Sequence, residues 1–504
     1  MAEHTGKSLD TQNTGNGKDK GNRTIMFLLV IILIGGILRF AKLDYQSLWN
    51  DELSSVVRTD FNSLGEVIES SKSDVHPPLY YCLLYLWRKN IGSSPFSVRA
   101  LSALFGVLAI AAIFFLGRTL YTAREALISA LILAISQFGI YYSQEVRSYS
   151  LLLLLSICSY LFFLKIQPQS TASRSQSGLV LSYILYILST TMLIYTHYFG
   201  ILVLFSQFVF ILMALAYGGR RGEKGYLKIL ASQLGIGILY LPQISVIRAK
   251  MQLAETWIPR PRVDFFIQYF HEYWGRSETF FLLASLCLFC FWYFRKNEGE
   301  NDTQPGFNRS ALVLVWVIVP LVTAYARSIL STPVLTDRNT IIILPPLILM
   351  MARGITSIKN KDLSAALLAA VVIAGCSSLL LTNEYYYRIT KDQFREVADV
   401  VLENKEISDQ SLIIASAWNA GYFDYYFQQA ASPFRVSHIY ENAEDIPAFE
   451  ALAQGSGKRF LWYLIGHKYP SQEFLQHLEK NYKLLGTRQF KKCSFFLFAL
   501  EKRP

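Results

Sequence analysis

A succession of apolar runs, separated by short polar segments, fills residues 24–382 and limits the fold that this chain can adopt. Roughly 20 apolar residues in an α-helix cross the hydrocarbon core of a bilayer, and backbone polar groups must be satisfied internally there. The composition agrees, since 52% of the 504 residues are hydrophobic and only 17% are charged. The sequence therefore predicts a polytopic α-helical membrane protein with about eleven spans. The predicted spans are 24–41, 98–116, 126–142, 149–164, 179–196, 200–217, 227–247, 280–294, 311–325, 340–351 and 363–382.

The apolar run 77–87 is not counted among these spans. It opens with Pro77-Pro78, closes with Arg88-Lys89, and is shorter than the roughly 17 residues that a spanning helix needs. We predict an interfacial helix within a first external loop, residues 42–97. With this run outside the bilayer, basic loops such as the one with Arg118 and Arg124 fall on the cytoplasmic side, as the positive-inside rule requires.

The segments outside the spans define two further regions. Residues 1–23 are hydrophilic and have no apolar periodicity, which predicts a disordered cytoplasmic tail. Residues 383–504 have ordinary charge density, with strand-like patterns that alternate with helical ones, which predicts a small extracytoplasmic α/β domain. The predicted strands are 411–417, 460–465 and 495–500, and the predicted helices are 392–403, 422–429 and 471–482. No glycine-rich phosphate loop opens these helices, so no nucleotide is assigned.

Three stretches place ionisable groups among aromatic residues at the ends of apolar runs: 47–52, 74–81 and 143–149. Carboxylates so close to hydrocarbon are costly, so Asp51, Glu52 and Glu145 require an explanation. We predict that the three stretches meet on the outer face of the membrane. Each also has a structural alternative: Asp51 is in a helix-capping position, His76 could be an ordinary interface histidine, and Arg147 could simply neutralise Glu145.

Such a set of residues suits the transfer of a sugar from a phosphate-linked donor. One carboxylate can take the proton of the acceptor hydroxyl. Arg147 and Arg338 can stabilise the departing phosphate, and a divalent cation such as Mg²⁺ or Mn²⁺ held by a second acid is an open alternative. The net charge of +11 lies mostly in short loops between apolar runs, which argues against a nucleic-acid partner.

The order of these motifs resembles that of the GT-C membrane glycosyltransferases, particularly the bacterial relatives of the dolichyl-phosphate-mannose protein mannosyltransferases. The resemblance lies in 48–52 (LWNDE), 76–81 (HPPLYY), 144–149 (QEVRSY) and 195–200 (YTHYFG), and it extends over most of residues 40–350. Asp337-Arg338 also resembles a late Arg-Tyr stretch of that family, although Asn339 stands where a Tyr is usual.

The resemblance implies roles for individual residues. Asp51 would be the catalytic base with Glu52 beside it, and Glu145 would be a second acid that positions the acceptor or, with Asp51, holds a metal. A Lys stands at the place of His76 in lipid A aminoarabinose transferases, which implies a phosphate contact. The substrate-binding residues would be Trp49, His76, Tyr80, Tyr81, Arg147, Tyr149, His197, Tyr198 and Arg338.

The implied function is that of an inverting glycosyltransferase in a bacterial cytoplasmic membrane. Its partners would be a polyprenyl-phosphate sugar donor, membrane lipids and an extracytoplasmic acceptor, which is a glycan, a lipid or a protein. The sequence leaves rivals open: a transporter or flippase for lipid-linked sugars, and a ligase or polymerase that uses a diphosphate-linked donor. Transporter sites tend to lie at the bilayer midplane, whereas these acids lie at helix ends.

Overall fold

The computed structural model describes residues 10–168, 175–218, 222–251, 258–262, 264–294 and 308–502, without the side chains of residues 10–20, 218, 251 and 502. The chain forms two compact units. The helical unit comprises Met1–Ala41, Ser71–Tyr80 and Ser102–Tyr386, and the mixed unit comprises Lys42–Ser70, Tyr81–Leu101 and Tyr387–Pro504.

Helices dominate the chain up to residue 382, as the apolar runs predict. In chain order they are α1 (Asp10–Phe40), α2 (Asn50–Val57), α3 (Leu64–Ser71), α4 (Leu79–Asn90), α5 (Pro95–Leu120), α6 (Ala123–Ile135), α7 (Gln137–Ser143), α8 (Tyr149–Lys165), α9 (Gln176–Thr196), α10 (Gly200–Gly218), α11 (Glu223–Leu239), α12 (Ile244–Met251), α13 (Phe265–Tyr273), α14 (Glu278–Phe294), α15 (Arg309–Leu330), α16 (Leu344–Thr356) and α17 (Lys361–Ser377).

Every predicted span coincides with one of these helices or helix pairs. Six helices of the described chain are long and apolar enough to cross a membrane, and the number reaches nine if each of three bent pairs is one span. Two shorter apolar helices, Tyr149–Lys165 and Ile341–Thr356, coincide with the two remaining predicted spans. A multi-pass helical membrane protein is therefore the observed architecture, and the number eleven stays a prediction.

Two parts of the N-terminal region differ in detail from the prediction. Helix α1 begins at Asp10, so the predicted tail is helical over residues 10–23, and residues 1–9 lie outside the described part. Extending an existing helix requires only propagation and not nucleation, which allows polar residues to continue the apolar segment. The predicted interfacial run forms α4, a helix of 12 residues that is too short to count as a span.

Within the helical unit, a bend between α6 and α7 positions the stretch 143–149, the third of the three motifs. The two helices meet at 60° at Ser136, which breaks the backbone ladder and leaves carbonyl groups without helical partners. The buried Arg39 of α1 donates to two of these carbonyls, Ala134 O at 3.0 Å and Leu133 O at 2.9 Å. An arginine inside an apolar run thus satisfies the backbone at a break, and α7 leads directly into the motif 143–149.

The C-terminal part of the mixed unit is an α/β layer structure, as predicted. Its helices and strands, in chain order, are α18 (Phe394–Glu403), α19 (Lys405–Ser408), β1 (Ser411–Ser416), α20 (Gly421–Gln429), β2 (His438–Ile439), α21 (Ile446–Gly455), β3 (Phe460–Gly466), α22 (Gln472–Asn481), β4 (Tyr482–Phe490) and β5 (Cys493–Lys502).

The five strands form one sheet in the order β2-β1-β3-β5-β4, in which β2, β1 and β3 are parallel and β5 is antiparallel to both of its neighbours. Strand β1 is buried over its whole length, because Leu412 and Ile414 pack with Phe449 and Phe474 in the core and the short helix α19 also contacts the strand. Strands β2 and β4 were not predicted. The first has two residues and the second is a polar edge strand, so neither carries a clear apolar alternation.

The predicted domain boundary differs from the observed division in one respect. The junction at 382/383 is close to the observed one at Tyr386, but most of the first loop, predicted to be part of the membrane domain, belongs to the mixed unit. Contacts such as Leu48 N to Tyr426 Oη at 2.7 Å and Ser47 Oγ to Glu396 at 2.9 Å explain this assignment. These are pairings of residues more than 340 positions apart, which no local pattern reveals.

Candidate active site

The acid pair of the first motif lies on the first turn of α2, in the mixed unit. Glu52 is completely buried, and its carboxylate accepts hydrogen bonds from Arg99 Nε at 2.8 Å, Arg99 Nη2 at 2.6 Å and Lys391 Nζ at 3.0 Å. It also accepts from the backbone N–H of Trp49 at 3.3 Å, which completes a capping interaction at the start of the helix. Glu52 therefore holds α2 in place.

Arg99 has no unsatisfied donor in this arrangement. Besides its two bonds to Glu52, the guanidinium donates to the backbone carbonyls of Leu43 and Gln46 at 2.8 Å and of Ser47 at 2.9 Å. The planar fork of an arginine is suited to such multiple recognition. The Arg99 side chain thereby fixes both the loop before α2 and Glu52 on the first turn of α2.

Asp392 binds the same helix start from the C-terminal domain. Its Oδ2 accepts from the backbone N–H of Asn50 at 3.3 Å and lies 2.7 Å from His467 Nδ1. A carboxylate at a helix N-terminus is stabilised by the unsatisfied N–H groups and by the helix dipole. Lys391 and Asp392, which are adjacent in sequence, thus contact Glu52 and the first residue of α2.

Asp51 differs from its neighbour in exposure. Its side chain is partly exposed, and its Oδ1 accepts a hydrogen bond from the Asn50 side chain at 3.3 Å. Of the two adjacent acids, Glu52 is bound to two cations in the protein interior and Asp51 retains access to solvent. Only a carboxylate that a substrate can reach serves as a general base, so the geometry favours Asp51 for that role.

A second cluster of predicted residues lies in the helical unit. His76 is buried, and its Nδ1 lies 3.2 Å from Arg147 Nη2 and 3.4 Å from Asp74 Oδ2. The ring of His76 also makes an edge contact with the ring of His197, with centroids 4.8 Å apart. The second and third motifs therefore meet within this unit, as predicted, together with the His197 motif.

Both histidines of this cluster are held in the neutral state. Burial and the Arg147 guanidinium lower the pKa of His76 from 6.5 to about 4. The pKa of His197 lies well below its ordinary value, because the ring is buried and His76 and Arg147 are close, which outweighs a hydrogen bond to Asn339. The backbone N–H of Phe199 donates to His197 Nδ1 at 3.1 Å. His76 thus supplies a polar contact at neutral pH and not the positive charge of a lysine.

Arg338 and its neighbour extend the cluster. The Arg338 guanidinium carbon lies 6.0 Å from the centroid of the buried Tyr149 ring, which also makes an edge contact with Tyr142 at 5.0 Å. The hydroxyl of Tyr142 donates to Asp337 Oδ2 at 3.3 Å. Arg338 is partly exposed, whereas Arg147 is buried, so the two cations lie at different depths from the protein surface.

The third motif is anchored at Gln144. Its side-chain amide donates to the carbonyls of Arg39 at 3.0 Å and Ala41 at 2.9 Å, and it accepts from the Tyr385 hydroxyl at 3.0 Å. Tyr385 thus contacts a residue of the third motif. The next residue, Glu145, is also buried in the helical unit.

The predicted aromatic residues differ in how much ring surface they expose. Tyr80 and Tyr81 are 1% and 2% exposed, and neither presents a ring face to solvent in this structure. The Tyr80 hydroxyl lies 2.8 Å from Ser102 Oγ, which donates to the Arg147 carbonyl at 3.3 Å, so Tyr80 supports the third motif. Trp49 and Tyr198 are partly exposed.

The predicted site residues therefore fall into two groups. Trp49, Asp51, Glu52 and Tyr81 belong to the mixed unit, and the others belong to the helical unit. The predicted meeting of these two groups stays a prediction. A divalent cation needs several oxygen or nitrogen ligands, and no three His, Cys, Asp or Glu side chains cluster suitably in the described part of the chain.

Several contacts of these groups escape local sequence reasoning. Arg99 carries one usable signal, since it is a charged residue at the start of the apolar run 98–116. Asp74 lies two positions before His76 and Asp337 directly precedes Arg338, so both are close in sequence to predicted residues. Lys391 and Asp392 lie in an ordinary polar segment, and only the fold brings them to α2.

Comparison with known proteins supports the resemblance of the motifs. The family model described as dolichyl-phosphate-mannose-protein mannosyltransferase matches residues 75–241, which is the part of the chain that contains the second, third and His197 motifs. No curated protein matches the chain.

Solved structures of low sequence identity share the fold. ArnT from Cupriavidus metallidurans in the apo state has a TM-score of 0.63 at 12% identity, over 96% of this chain and 98% of that chain. The same protein bound to undecaprenyl phosphate gives 0.61 at 13% identity, over 95% and 98%. The oligosaccharyltransferase AglB from Archaeoglobus fulgidus, in complex with an inhibitory peptide and a dolichol-phosphate, gives 0.55 at 11%, over 95% and 74%. The chain therefore resembles the GT-C membrane glycosyltransferases both in its motifs and in its fold, as the sequence predicts.

Proposed function

We propose that the protein is an inverting membrane glycosyltransferase that moves one sugar from a polyprenyl-phosphate donor to a hydroxyl group of an extracytoplasmic acceptor. The observation that carries this proposal is the different state of the two adjacent acids. Glu52 is buried and bound to Arg99 and Lys391, whereas Asp51 is partly exposed at the start of the same helix. An acid on a helix that is fixed in this way can be held close to the position that proton transfer requires.

Asp51 takes the proton of the acceptor hydroxyl in this mechanism. The acceptor oxygen forms a bond with the anomeric carbon from the face opposite the phosphate, and the bond from that carbon to the phosphate oxygen breaks. The lipid phosphate leaves with the electron pair, and the proton passes from Asp51 to solvent. One displacement inverts the anomeric centre.

The phosphate is assigned to the cluster in the helical unit. Arg147 and Arg338 supply two positive charges beside neutral histidines, and arginine hydrogen bonds to phosphate are among the stronger interactions in proteins. His76 contributes a neutral hydrogen bond, and Glu145 is assigned to the acceptor. The bound lipid phosphates of ArnT and AglB support this class of donor.

The donor can be tested with purified protein in nanodiscs. We expect transfer from a synthetic short-chain polyprenyl-phosphate sugar and no transfer from the matching nucleotide sugar, and we expect the Arg147→Ala variant to weaken chiefly the use of the lipid donor. Efficient transfer from the nucleotide sugar without a lipid intermediate would rule out this function. Transfer only from a diphosphate-linked oligosaccharide would favour the ligase alternative.

We assign the active side to the outer face of a bacterial cytoplasmic membrane, because the basic loops then lie inside. A cysteine in place of the exposed Ser331, in a cysteine-free background, should react with an impermeant thiol reagent from outside, and a cysteine in place of the exposed Asn360 should not. The reverse pattern would overturn the assignment.

A further inference from the structure

The order of the strands in the mixed unit creates a place where open α/β sheets bind ligands. After β1 the chain passes through α20 to β2, on one side of β1, and after β3 it passes through α22 to β4, beyond β5 on the other side. Connections from the neighbouring parallel strands β1 and β3 therefore leave in opposite directions. Ligands of such sheets bind in the crevice outside the carboxyl ends of the strands at this topological switch point.

The loops at this switch point expose two large aromatic side chains. Trp418 follows β1 and is 62% exposed, and Tyr469 follows β3 and is 70% exposed. The two loops are neighbours, because Ser416 Oγ donates to the Lys468 carbonyl at 3.2 Å and Lys468 Nζ lies 4.7 Å from the centroid of the Trp418 ring. Lys468 Nζ also pairs with Glu441 at 2.6 Å, and we call Trp418, Lys468, Tyr469 and Glu441 the crevice residues.

The same loops contact α2, the helix that carries Asp51. His467, which precedes Lys468, binds Asp392, and Asp392 accepts from the backbone N–H of Asn50. At the other end of α2, Gly421 packs so closely on Val57 that an added Cβ would crowd the valine side chain. The crevice residues are thus connected through short contacts to the proposed catalytic base within one unit.

We propose that the crevice residues bind the acceptor, and that the acceptor is an uncharged saccharide. Aromatic rings offer the apolar faces of sugar rings a contact surface, and adjacent polar groups can bind hydroxyls. The charges of the crevice argue against an anionic group, because Lys468 Nζ is already paired with Glu441 at 2.6 Å. This inference rests on the proposed function, since it names the acceptor class of the same reaction.

Binding can be measured without the reaction, through the fluorescence of Trp418. The chain contains eight tryptophans, so the difference between wild type and the Trp418→Phe variant isolates the signal of this one. Full-length protein in nanodiscs would be titrated with the uncharged hexasaccharides of glucose and mannose in the presence of iodide as a quencher. We expect at least one hexasaccharide to protect Trp418 from iodide. Protection by none of them would contradict the inference.

A bilayer contact is the competing use of exposed aromatic residues, and the same signal separates the two. Brominated phosphatidylcholine in the nanodisc quenches tryptophans that insert among the acyl chains. We expect no such quenching of Trp418. Strong quenching by the brominated lipid would assign this surface to the membrane and overturn the saccharide site.

The kinetic test separates this inference from the proposed function. The Trp418→Ala variant should raise the KM for the hexasaccharide that protects Trp418 by about tenfold, the size of effect that an aromatic contact gives, while the donor KM stays unchanged. The matched control is Leu485→Ala, which removes an exposed apolar side chain from β4 in the same unit. Unchanged acceptor KM in Trp418→Ala would contradict the crevice site and leave the transferase standing, whereas absence of lipid-dependent transfer in wild type would contradict the function itself.

Discussion

The surroundings of Glu52 and those of His76 both bury charged groups, but they compensate these charges in different ways. Glu52 accepts short hydrogen bonds from two cations, and all five N–H groups of Arg99 have partners. Around His76 the polar contacts are 3.2 Å to Arg147 and 3.4 Å to Asp74, and its ring makes edge contacts with Tyr149 and His197. The first arrangement fixes a helix through charge-assisted hydrogen bonds, and the second brings a neutral imidazole beside a buried arginine.

The two arrangements indicate which residues should affect stability and which should affect turnover. A carboxylate that is bound to two buried cations contributes to the folded state, and its loss leaves charges uncompensated. A carboxylate that a substrate can reach can take part in proton transfer. The adjacent residues Asp51 and Glu52 should therefore behave differently when each is replaced by its amide.

The largest effect on turnover is expected for Asp51→Asn. The amide keeps the shape but accepts no proton, so kcat should fall by roughly 10²-fold to 10⁴-fold, the range of general base catalysis. Thermal unfolding and donor binding should be unchanged. The control is Asp44→Asn, which alters an exposed acid in the same loop. Transfer at the wild-type rate by a folded Asp51→Asn protein would remove Asp51 from the mechanism.

For Glu52→Gln the main expected effect is a loss of stability. Because the change leaves the buried Arg99 and Lys391 without their counter-charge, the free energy of unfolding of the mixed unit should fall by about 3 to 5 kcal/mol. The measurement is the thermal unfolding midpoint, with Glu66→Gln as the control at an exposed position of α3. A double-mutant cycle with Lys391→Met should give a coupling energy, and strictly additive effects would contradict the proposed ion pair.

Much of the fold could be predicted from the sequence, because membrane spans and buried strands are local patterns. The runs 98–116 and 411–417, for example, became α5 and β1 with shifts of a few residues. The edge strand β4 was missed because it has no clean alternation, and the helical extension of α1 was missed because its residues are polar.

The candidate site was predicted only where its residues lie in motifs. His76, Arg147 and His197 could be grouped from their order in the chain and from the resemblance to a family. The division between Asp51 and Glu52 could not, because it depends on Arg99, Lys391 and Asp392, which are 47 or more positions away from Glu52. Long-range partners set the state of a charge, and a linear pattern does not contain them.

The cluster around His76 should contribute a pH dependence of stability. The pKa of His76 is about 4 in the folded protein and about 6.5 in the unfolded chain, so the unfolded chain binds the proton more readily between these values. Stability is therefore unaffected above pH 6.5 and decreases as the pH falls toward 4, by up to about 3 kcal/mol. The His76→Gln variant should lose part of this decrease in thermal unfolding between pH 6.5 and 4.

The control for that measurement is His438→Gln, at an exposed position of β2. An identical slope in wild type and His76→Gln would show that His76 does not take up the proton on unfolding in this window. It would also weaken the assignment of a neutral histidine to the phosphate.

The smallest effect is expected for Arg338, the partly exposed cation of the helical unit. Its guanidinium lies near the Tyr149 ring, and a hydrogen bond from such a group to phosphate contributes about 1.5 kcal/mol at the lower end of the range for charged partners. Arg338→Ala should therefore raise the donor KM by roughly tenfold with little change in the unfolding midpoint, and Arg338→Lys should give an intermediate value because it keeps the charge but not the fork. The control is Arg276→Ala, an exposed arginine that pairs with Glu272 in the same unit. Equal changes of the donor KM in Arg338→Ala and Arg276→Ala would indicate a general effect of surface charge on the lipid donor. The phosphate would then be assigned to Arg147 alone.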